Sequence, residues 1–248
     1  GSASEMPAIS RISSSGFAAP RSTTTRPRKM LLHLLSAADT GGWPTCATVH
    51  TSKKHRNNTM TGRPAKNGMW TMPTCENAHV VDVPLAEHLS SSLFRGGSLL
   101  ELGAGCGCYG ARFERASTPP SEMALFDGTT NIDALTNGHV QPRDLSQPLS
   151  LGRKFDWVMS LEVGEHIPRQ FEHTFISNIV NHATRGIVLS WAVVGQRGTG
   201  HVNTRSNAHI AAALAREGWA KDEQASQAAR DVATMGWFKG SLGVYRRS

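Results

Sequence analysis

Two short stretches carry residues whose types and spacing suit chemistry. In SLLELGAGCGCYG, residues 98–110, an apolar run with one acid, Glu101, precedes a turn that holds four glycines in eight residues. In EVGEH, residues 162–166, two carboxylates and an imidazole stand at i, i+3 and i+4. Glycine clusters mark places where a ligand or another backbone approaches closely. Glutamate and histidine transfer protons and bind divalent metals, so the second stretch indicates a catalytic or metal-binding cluster.

Two kinds of ligand compete for the glycine turn. A dinucleotide fingerprint, G-x-G-x-x-G, can be found at Gly105, Gly107 and Gly110, but it begins two residues past the end of the apolar run. That fingerprint should follow a strand directly. If it began at Gly103 instead, Cys108 would stand where the third glycine is required. A pyrophosphate also gains nothing from a nearby acid, so the dinucleotide interpretation is the weaker one.

The elements that must position these residues alternate between strand and helix patterns. The strand candidates are SLLEL, MALFDG, FDWVMSLEV and GIVLSWA, and the helix candidates between and after them are YGARFERA, RQFEHTFISNIVNHA and SNAHIAAALAREG. An earlier helix has Asp82 as its cap. This alternation predicts an α/β fold, a doubly wound and mostly parallel sheet with helices on both faces. Ligands bind such sheets at the carboxyl ends of the strands, where both chemical stretches lie.

These motifs resemble those of class I S-adenosylmethionine-dependent methyltransferases. ELGAGCG is similar to their E/D-x-G-x-G-x-G turn, and FDWVMSLEVGEHIP is similar to the fourth-strand motif of a branch that reads F-D-x-V-x-x-x-E-V-x-E-H. The resemblance covers residues 78–247 and implies a Rossmann-like methyltransferase fold with an antiparallel C-terminal strand pair, WAKDE and LGVYRR. It implies S-adenosylmethionine as cofactor and S-adenosylhomocysteine as product.

The resemblance also assigns roles in cofactor binding. Glu101 would face the methionine ammonium, and Asp127 would accept hydrogen bonds from the ribose hydroxyls. Asp144 and Leu145 would lie beside the adenine. The implied cofactor-binding residues are Glu101, Gly103, Gly105, Gly107, Asp127, Asp144, Leu145 and Glu162.

The resemblance leaves two interpretations of the EVGEH stretch open. In ubiquinone-pathway O-methyltransferases and small-RNA 2′-O-methyltransferases such a stretch binds a divalent metal, and a later histidine, here His201, assists. Other members use it only to organise the cleft. A helical turn would bring Glu162, Glu165 and His166 to one side. The predicted catalytic residues are His166, Glu165 and His201, and the predicted metal ligands are Glu162, Glu165, His166 and His201. Gln196 and Asn203 are candidates for binding a polar substrate.

Three functions follow from these patterns. The first is methyl transfer to an O, N or S nucleophile of a small polar molecule. The second is a metal-dependent RNA 2′-O-methyltransferase that uses a basic arm, and the third is a non-catalytic module that binds partners through a cofactor fold. The oligomeric state is left open.

The positive charge lies in the first part of the chain. Residues 1–70 contain ten Lys/Arg and two acids, whereas residues 71–248 contain 16 and 17. The neutral remainder disfavours a nucleic-acid surface on the main domain. We therefore expect a basic, largely irregular extension over residues 1–68 and a methyltransferase domain over residues 69–248. The extension has the composition of a transit peptide or a disordered arm.

The four cysteines are Cys46, Cys75, Cys106 and Cys108, and none forms a C-x-x-C pair. This pattern predicts free thiols, with neither a disulfide framework nor a zinc site, and Cys106 and Cys108 as small packing residues. It therefore predicts a reducing, intracellular location, cytoplasmic or organellar. No apolar run approaches the length of a membrane span.

Overall fold

A seven-stranded sheet forms the centre of the protein in this computed structural model, which describes residues 42–44, 46–49, 64–75 and 78–248. Its strands are β3 Ser98–Leu102, β4 Glu122–Asp127, β5 Gln141–Pro142, β6 Phe155–Leu161, β7 Ala183–Ser190, β8 Trp219–Lys221 and β9 Gly243–Arg247. They lie in the order β5-β4-β3-β6-β7-β9-β8, and the pairs from β5 to β7 are parallel. The α/β prediction is thereby confirmed.

Helices cover both faces of the sheet. They are α1 Val83–His88, α2 Cys108–Glu114, α3 Ile132–Leu135, α4 Glu172–His182, α5 Asn207–Arg216, α6 Glu223–Val232 and α7 Gly236–Ser241. A π-helical turn, Leu89–Phe94, continues α1. Two apolar clusters form, one containing Leu99, Phe113 and Trp157 and the other containing Leu100, Phe175 and Trp191. Because neighbouring strand residues such as Leu99 and Leu100 point to opposite faces, the continuous apolar strands supply both clusters.

The cap predicted at Asp82 is confirmed and has a second task. Its Oδ1 accepts from the Leu85 backbone N–H at 3.3 Å, which caps α1. Its Oδ2 accepts from the backbone N–H groups of Thr234 and Met235, each at 2.7 Å. This fully buried carboxylate therefore joins α1 to the segment that leads into α7.

The C-terminal strands form the predicted antiparallel arrangement. β9 pairs antiparallel with β7 on one side and with β8 on the other. Helices α6 and α7 lie between β8 and β9 in the chain and were not predicted. The α6 sequence, EQASQAARDV, has small side chains on its inner face and buries only Ser226 and Ala229. The small and polar residues of α6 lie on different faces, but the helix is polar overall and no apolar run marks it in the sequence.

The described residues before the sheet belong to the unit of residues 32–248. Strand β1, Ala47–Val49, pairs with β2, Val80–Asp82, in a separate two-stranded parallel sheet. Residues 64–75, which we call the strap, form no strand or helix. The domain boundary at residue 68 stays a prediction.

All four cysteines are paired, so the prediction of free thiols is wrong. Cys46 is bonded to Cys108 with a Cα–Cα distance of 5.7 Å, and Cys75 to Cys106 at 5.6 Å. The fold brings the chain before β1 and the end of the strap against the glycine turn, within the range that a disulfide can span. The prediction of a reducing compartment depends on unpaired thiols, so the two disulfides remove its basis. The segment expected to form a transit peptide lies outside the described residues.

In the parts of the chain that the structure describes, no helix combines the length and apolar character needed to cross a bilayer.

Candidate active site

A cavity of about 530 Å³ opens at the carboxyl ends of β3, β4 and β6. This is the edge at which doubly wound sheets bind ligands. Its lining includes most of the residues predicted from the sequence: Glu101, Gly103, Gly105, Asp127, Asp144, Leu145, Glu162, Glu165, His166, Gln196 and His201. Gly107 is absent from the lining. The two chemical stretches therefore share one site.

The glycine turn serves packing as well as access. A Cβ on Gly103 would lie 2.2 Å from a Val163 methyl carbon, and one on Gly105 would lie 2.7 Å from the His79 ring. A Cβ on Gly107 would meet the Trp43 ring at 2.7 Å. The expectation that the missing side chains leave room for a ligand therefore needs correction. Gly103 and Gly105 border the cavity, but protein side chains already lie against all three glycines.

Glu101 is a buried acid that lacks a protein partner at one oxygen. It lies one residue before the end of β3 and is 4% exposed, and its Oε2 has no hydrogen-bond partner. Burial raises the pKa of its carboxyl to about 8, and the negative charge of Asp127 adds to the shift. A buried acid that faces a cavity in this state favours a cationic or hydrogen-bond-donating ligand.

Asp127 and Asp144, by contrast, already accept hydrogen bonds from the protein. Asp127 Oδ2 accepts from the Gly105 N–H, and Oδ1 accepts from the Thr129 N–H, both at 2.8 Å. Asp144 accepts from the Asn67 side chain at 2.8 Å and from the Ser146 hydroxyl at 2.6 Å. A carboxylate oxygen has two lone pairs, so both groups retain acceptor capacity toward a ligand.

Glu162 has an unusual backbone conformation. Its φ is +55°, in the left-handed region that residues other than glycine seldom adopt. Its carboxylate accepts from Gln196 Nε2 at 2.8 Å and from the Ser241 hydroxyl at 3.2 Å. This conformation separates Glu162 from the turn that follows, and strained backbone of this kind clusters at functional sites.

The helical turn expected to gather Glu162, Glu165 and His166 does not form. Only Gly164–His166 makes a single 3₁₀ turn, and Glu162 lies outside it. The structure instead brings together Glu165, His166 and His201, with one ligand atom from each within 4.8 Å of the others. Among the described residues, Glu162 does not join this group, although its charge acts on Glu165.

Glu165 is the second buried acid without partners. It is 0% exposed, and neither carboxylate oxygen has a hydrogen-bond partner. Burial raises the pKa of Glu165 to about 8, and the charge of Glu162 adds to this. The nearest basic group is His201 Nε2, 3.9 Å from Oε1.

The two histidines beside Glu165 are oriented by backbone carbonyls. His166 Nδ1 donates to the Gly200 carbonyl at 3.2 Å, and His201 Nδ1 donates to the Gln196 carbonyl at 3.1 Å. Because a carbonyl only accepts, these contacts assign the proton to Nδ1 and leave each Nε2 as an acceptor. Burial and, to a lesser extent, the nearby His201 together lower the pKa of His166 to about 4. His166 is therefore neutral at physiological pH and able to take a proton or bind a metal.

Trp191 connects the two loops of this cluster. A Cβ on Gly164 would lie 2.2 Å from its ring, and its Nε1 donates to the Asn203 carbonyl at 2.6 Å. The indole is thus packed under the EVGEH turn and bonded to the loop that carries His201. Trp191 is 2% exposed and belongs to the core.

Two polar candidates have structural partners. Asn203 is 0% exposed, does not line the cavity, and donates to Glu172 at 3.0 Å. Its assignment as a substrate-binding residue is therefore corrected. Gln196 does line the cavity, but its amide donates to Glu162. Trp237 is 45% exposed and forms part of the cavity wall.

Part of the cavity wall was missed in the sequence. Asn67, Gly68, Met69 and Trp70 from the strap line the cavity, and so does His79. His79 Nδ1 accepts from the Cys106 N–H at 3.4 Å, and burial lowers its pKa. No sequence motif marks these residues, because their positions depend on how the strap and the segment before β2 pack against the glycine turn.

The fold and cavity define a doubly wound α/β protein with a ligand site at its strand ends. No protein-family model matches the chain, and no curated protein matches its sequence. Solved structures do resemble it. A magnesium protoporphyrin IX methyltransferase from Synechocystis PCC 6803, with bound S-adenosylmethionine, is 19% identical over 66% of this chain and 76% of its own, with a TM-score of 0.47.

Two further solved structures have similar scores. An amino pentose methyltransferase from Micromonospora echinaspora, CalS10, with bound S-adenosylmethionine, is 15% identical over 66% of this chain and 89% of its own, with a TM-score of 0.49. An O-methyltransferase family protein from Burkholderia thailandensis is 16% identical over 66% of this chain and 55% of its own, with a TM-score of 0.49. At these identities the likeness concerns the fold.

Proposed function

We propose that this protein is an S-adenosylmethionine-dependent methyltransferase that methylates an O, N or S nucleophile of a small polar molecule. The observation that carries the proposal is the Glu101 carboxyl, buried beside the glycine turn with an unpartnered oxygen and lining the cavity. The cofactor has an ammonium group and a sulfonium centre. A cation of this kind satisfies a buried acid, whereas a pyrophosphate would be repelled by it.

The other acids that line the cavity suit the remaining parts of the same ligand. Asp127 borders the cavity at the end of β4 and keeps free lone pairs for two ribose hydroxyls. Asp144 and the buried Leu145 lie on the same wall and would receive the adenine. Glu162 also lines the cavity, and its carboxylate would favour the cationic sulfonium.

The Glu165–His166–His201 cluster supplies the chemistry. The acceptor attacks the methyl carbon as the bond from that carbon to sulfur breaks, and the acceptor's proton passes to a histidine Nε2. The products are the methylated acceptor and S-adenosylhomocysteine. Holding donor and acceptor in line accounts for much of the rate, and His166, neutral above about pH 4, is the leading base.

The same cluster fits a divalent metal. Glu165 has two orphaned buried oxygens, and both histidines donate Nδ1–H to backbone carbonyls, the arrangement common to metal-binding histidines. Glu165, His166 and His201 would hold the ion, while Glu162 keeps its bonds to Gln196 and Ser241. A bound divalent ion lowers the pKa of a coordinated hydroxyl.

Two measurements test the proposed function. Calorimetry with S-adenosylmethionine and S-adenosylhomocysteine should give saturable binding, and neither heat nor a thermal shift with either ligand would overturn the proposal. Labelled donor should then transfer its methyl group into a metabolite extract, assayed with and without chelator. Label found in the RNA fraction alone would contradict the small-molecule acceptor. Loss of transfer with chelator would support the metal.

A further inference from the structure

The strap, residues 64–75, crosses both ends of the cavity without being part of any sheet or helix. At the cofactor end, Asn67 donates to Asp144 at 2.8 Å, and Met69 packs against Gly128. At the histidine end, the Trp70 ring lies edge-on to His166 with centroids 5.9 Å apart. One short segment therefore contacts the groups proposed for cofactor binding and those proposed for catalysis.

The contact with the histidine end is close. A Cβ on Gly68 would lie 2.4 Å from the His166 carbonyl oxygen, and one on Gly200 would lie 2.5 Å from the Trp70 ring. The His166 imidazole donates to the carbonyl of that same Gly200. A displacement of the strap would therefore remove the packing that holds the His166 ring and its orienting carbonyl together.

Hydrogen bonds and buried side chains help to hold the strap. Beyond the Asn67–Asp144 bond, Asn131 Nδ2 donates to the Met72 carbonyl at 3.1 Å, and Trp70 and Met72 are buried. The disulfide Cys75–Cys106 then attaches the end of the strap covalently to the glycine turn. Beside it, His79 packs on Gly105 and accepts from the Cys106 N–H.

We propose that the strap is a structural wall of the site whose position depends on the Cys75–Cys106 disulfide, so that ligand affinity depends on the oxidation state of this cysteine pair. The inference rests on the proposed function and adds its regulation. A bond between residues 31 apart in the chain restricts the unfolded and partly opened states that compete with the closed strap. Without it, the segment opens and the cavity loses one side.

The switching step is thiol–disulfide exchange with a dithiol reductant. One reductant thiolate attacks a sulfur of the disulfide and releases the other cysteine as a thiolate, which takes up a proton. The second thiolate of the reductant then attacks its own sulfur in the mixed disulfide, which breaks the bond to the protein and releases the second cysteine as a thiolate that takes up a proton. The protein gains two electrons and two protons, and the reductant becomes a disulfide.

The experiment measures S-adenosylhomocysteine binding by calorimetry before and after dithiothreitol treatment, with free thiols counted in each sample. We expect no free thiols in the oxidised protein, four after full reduction, and at least tenfold weaker binding that recovers on reoxidation. Equal affinity in samples with zero and four thiols would overturn the proposal while leaving the proposed function intact. Absence of binding to the oxidised protein would overturn both.

Matched variants separate the two disulfides. Cys75→Ser/Cys106→Ser should bind weakly from the start and respond little to reductant. Cys46→Ser/Cys108→Ser retains the strap disulfide and should keep the tenfold response. The reverse pattern would overturn the assignment to Cys75–Cys106.

Hydrogen–deuterium exchange without ligand tests whether weaker binding after reduction results from general unfolding of the protein. Deuterium uptake in residues 64–75 should rise after reduction, while uptake in β3 stays unchanged. Unchanged uptake in the strap, or an equal rise in β3, would contradict an opening confined to the strap. This comparison uses the wild-type chain and therefore does not depend on either variant folding.

Discussion

The buried acids that line the cavity differ from Glu172, an acid outside it, in their hydrogen-bond partners and in the direction of their pKa shifts. Glu172, at the start of α4, accepts hydrogen bonds from Asn203, Arg205 and His209. Although burial acts to raise the pKa of Glu172, these hydrogen bonds hold it below its ordinary value. Glu101 and Glu165 have unpartnered oxygens and pKa values raised to about 8. The surroundings of Glu172 stabilise its negative charge within the fold. Those of Glu101 and Glu165 leave carboxyl oxygens without a protein partner and so available to a ligand.

Hydrogen-bond partners distinguish two kinds of buried acid, and burial does not, because it is common to both. Architectural acids are bonded to other parts of the chain, whereas binding acids have oxygens without a protein partner. Asp82 is as buried as Glu165, yet it accepts three backbone hydrogen bonds and joins two elements. An unsatisfied buried carboxyl destabilises the free protein, and it persists where ligand binding needs it.

The largest expected effect is at Glu101. Glu101→Gln should weaken S-adenosylhomocysteine binding at pH 8 by about 100-fold or more, because the cationic ammonium loses its counter-charge in a buried site. Calorimetry at pH 6 and pH 8 also tests the direction in which affinity changes with pH. Binding of the cation to wild type requires loss of the Glu101 proton below about pH 8, so affinity should rise from pH 6 to pH 8. The variant should lack that slope.

The same substitution should stabilise the ligand-free protein. A carboxyl whose folded pKa is raised favours the folded state most below its unfolded pKa, near 4.5, and that contribution is lost as pH rises to about 8. Glutamine does not ionise, so denaturant unfolding at pH 8 should show a gain of about 1–3 kcal/mol. Glu122→Gln, on β4 and outside the cavity lining, is the control for binding. Equal losses of affinity in both variants would refute the distinction.

A smaller effect is expected at Glu165. Glu165→Gln should lower the rate of methyl transfer by about 100-fold while the affinity for S-adenosylhomocysteine changes little, since Glu165 acts at the acceptor end. Titration with Mn²⁺ or Zn²⁺ should show binding to wild type that strengthens as pH rises toward 8, where Glu165 ionises. Unchanged turnover and unchanged metal binding in the variant would place Glu165 among the architectural acids.

The smallest effect is expected at Glu172. Glu172→Gln should reduce the free energy of unfolding by about 1–2 kcal/mol at pH 7, because charged hydrogen bonds are weakened. A group with a lowered folded pKa stabilises the protein above its unfolded pKa and loses that contribution as pH falls through the folded value. The difference between variant and wild type should therefore vanish in acid. A Glu172→Gln variant that lost turnover but kept its stability would contradict the assignment of Glu172 to the architectural acids.

Much of the fold was predictable because it rests on local signals. Apolar runs marked the parallel strands, the Asp82 cap marked α1, and Gly218, with a φ of +78°, marked the end of α5. The arrangement of Glu165 and His166 near His201 also followed from motifs at strand ends. These signals lie within a few residues of the structures they specify.

The rest depends on tertiary surroundings. Cys46 and Cys75 lie 62 and 31 residues from their partners, and no spacing rule connects them until the chain before β1 and the strap cross the glycine turn. The same holds for His79 and Trp70, which have no motif. Nor could the state of Glu101 and Glu165 be predicted, because a missing partner is a property of the packed surroundings.

The Trp191 indole has a consequence for how acceptor preference can change. The ring packs against Gly164 in the EVGEH turn, and its Nε1 donates to the Asn203 carbonyl in the loop that carries His201. The two loops are therefore held at a constant distance where they leave the sheet. Gln196 and Gly198 in the second loop hold the His201 ring in place. Diversity must therefore arise at the exposed side chains of that loop, Val194, Arg197 and Thr199. A library confined to these three positions would vary the entrance while the catalytic spacing stayed constant.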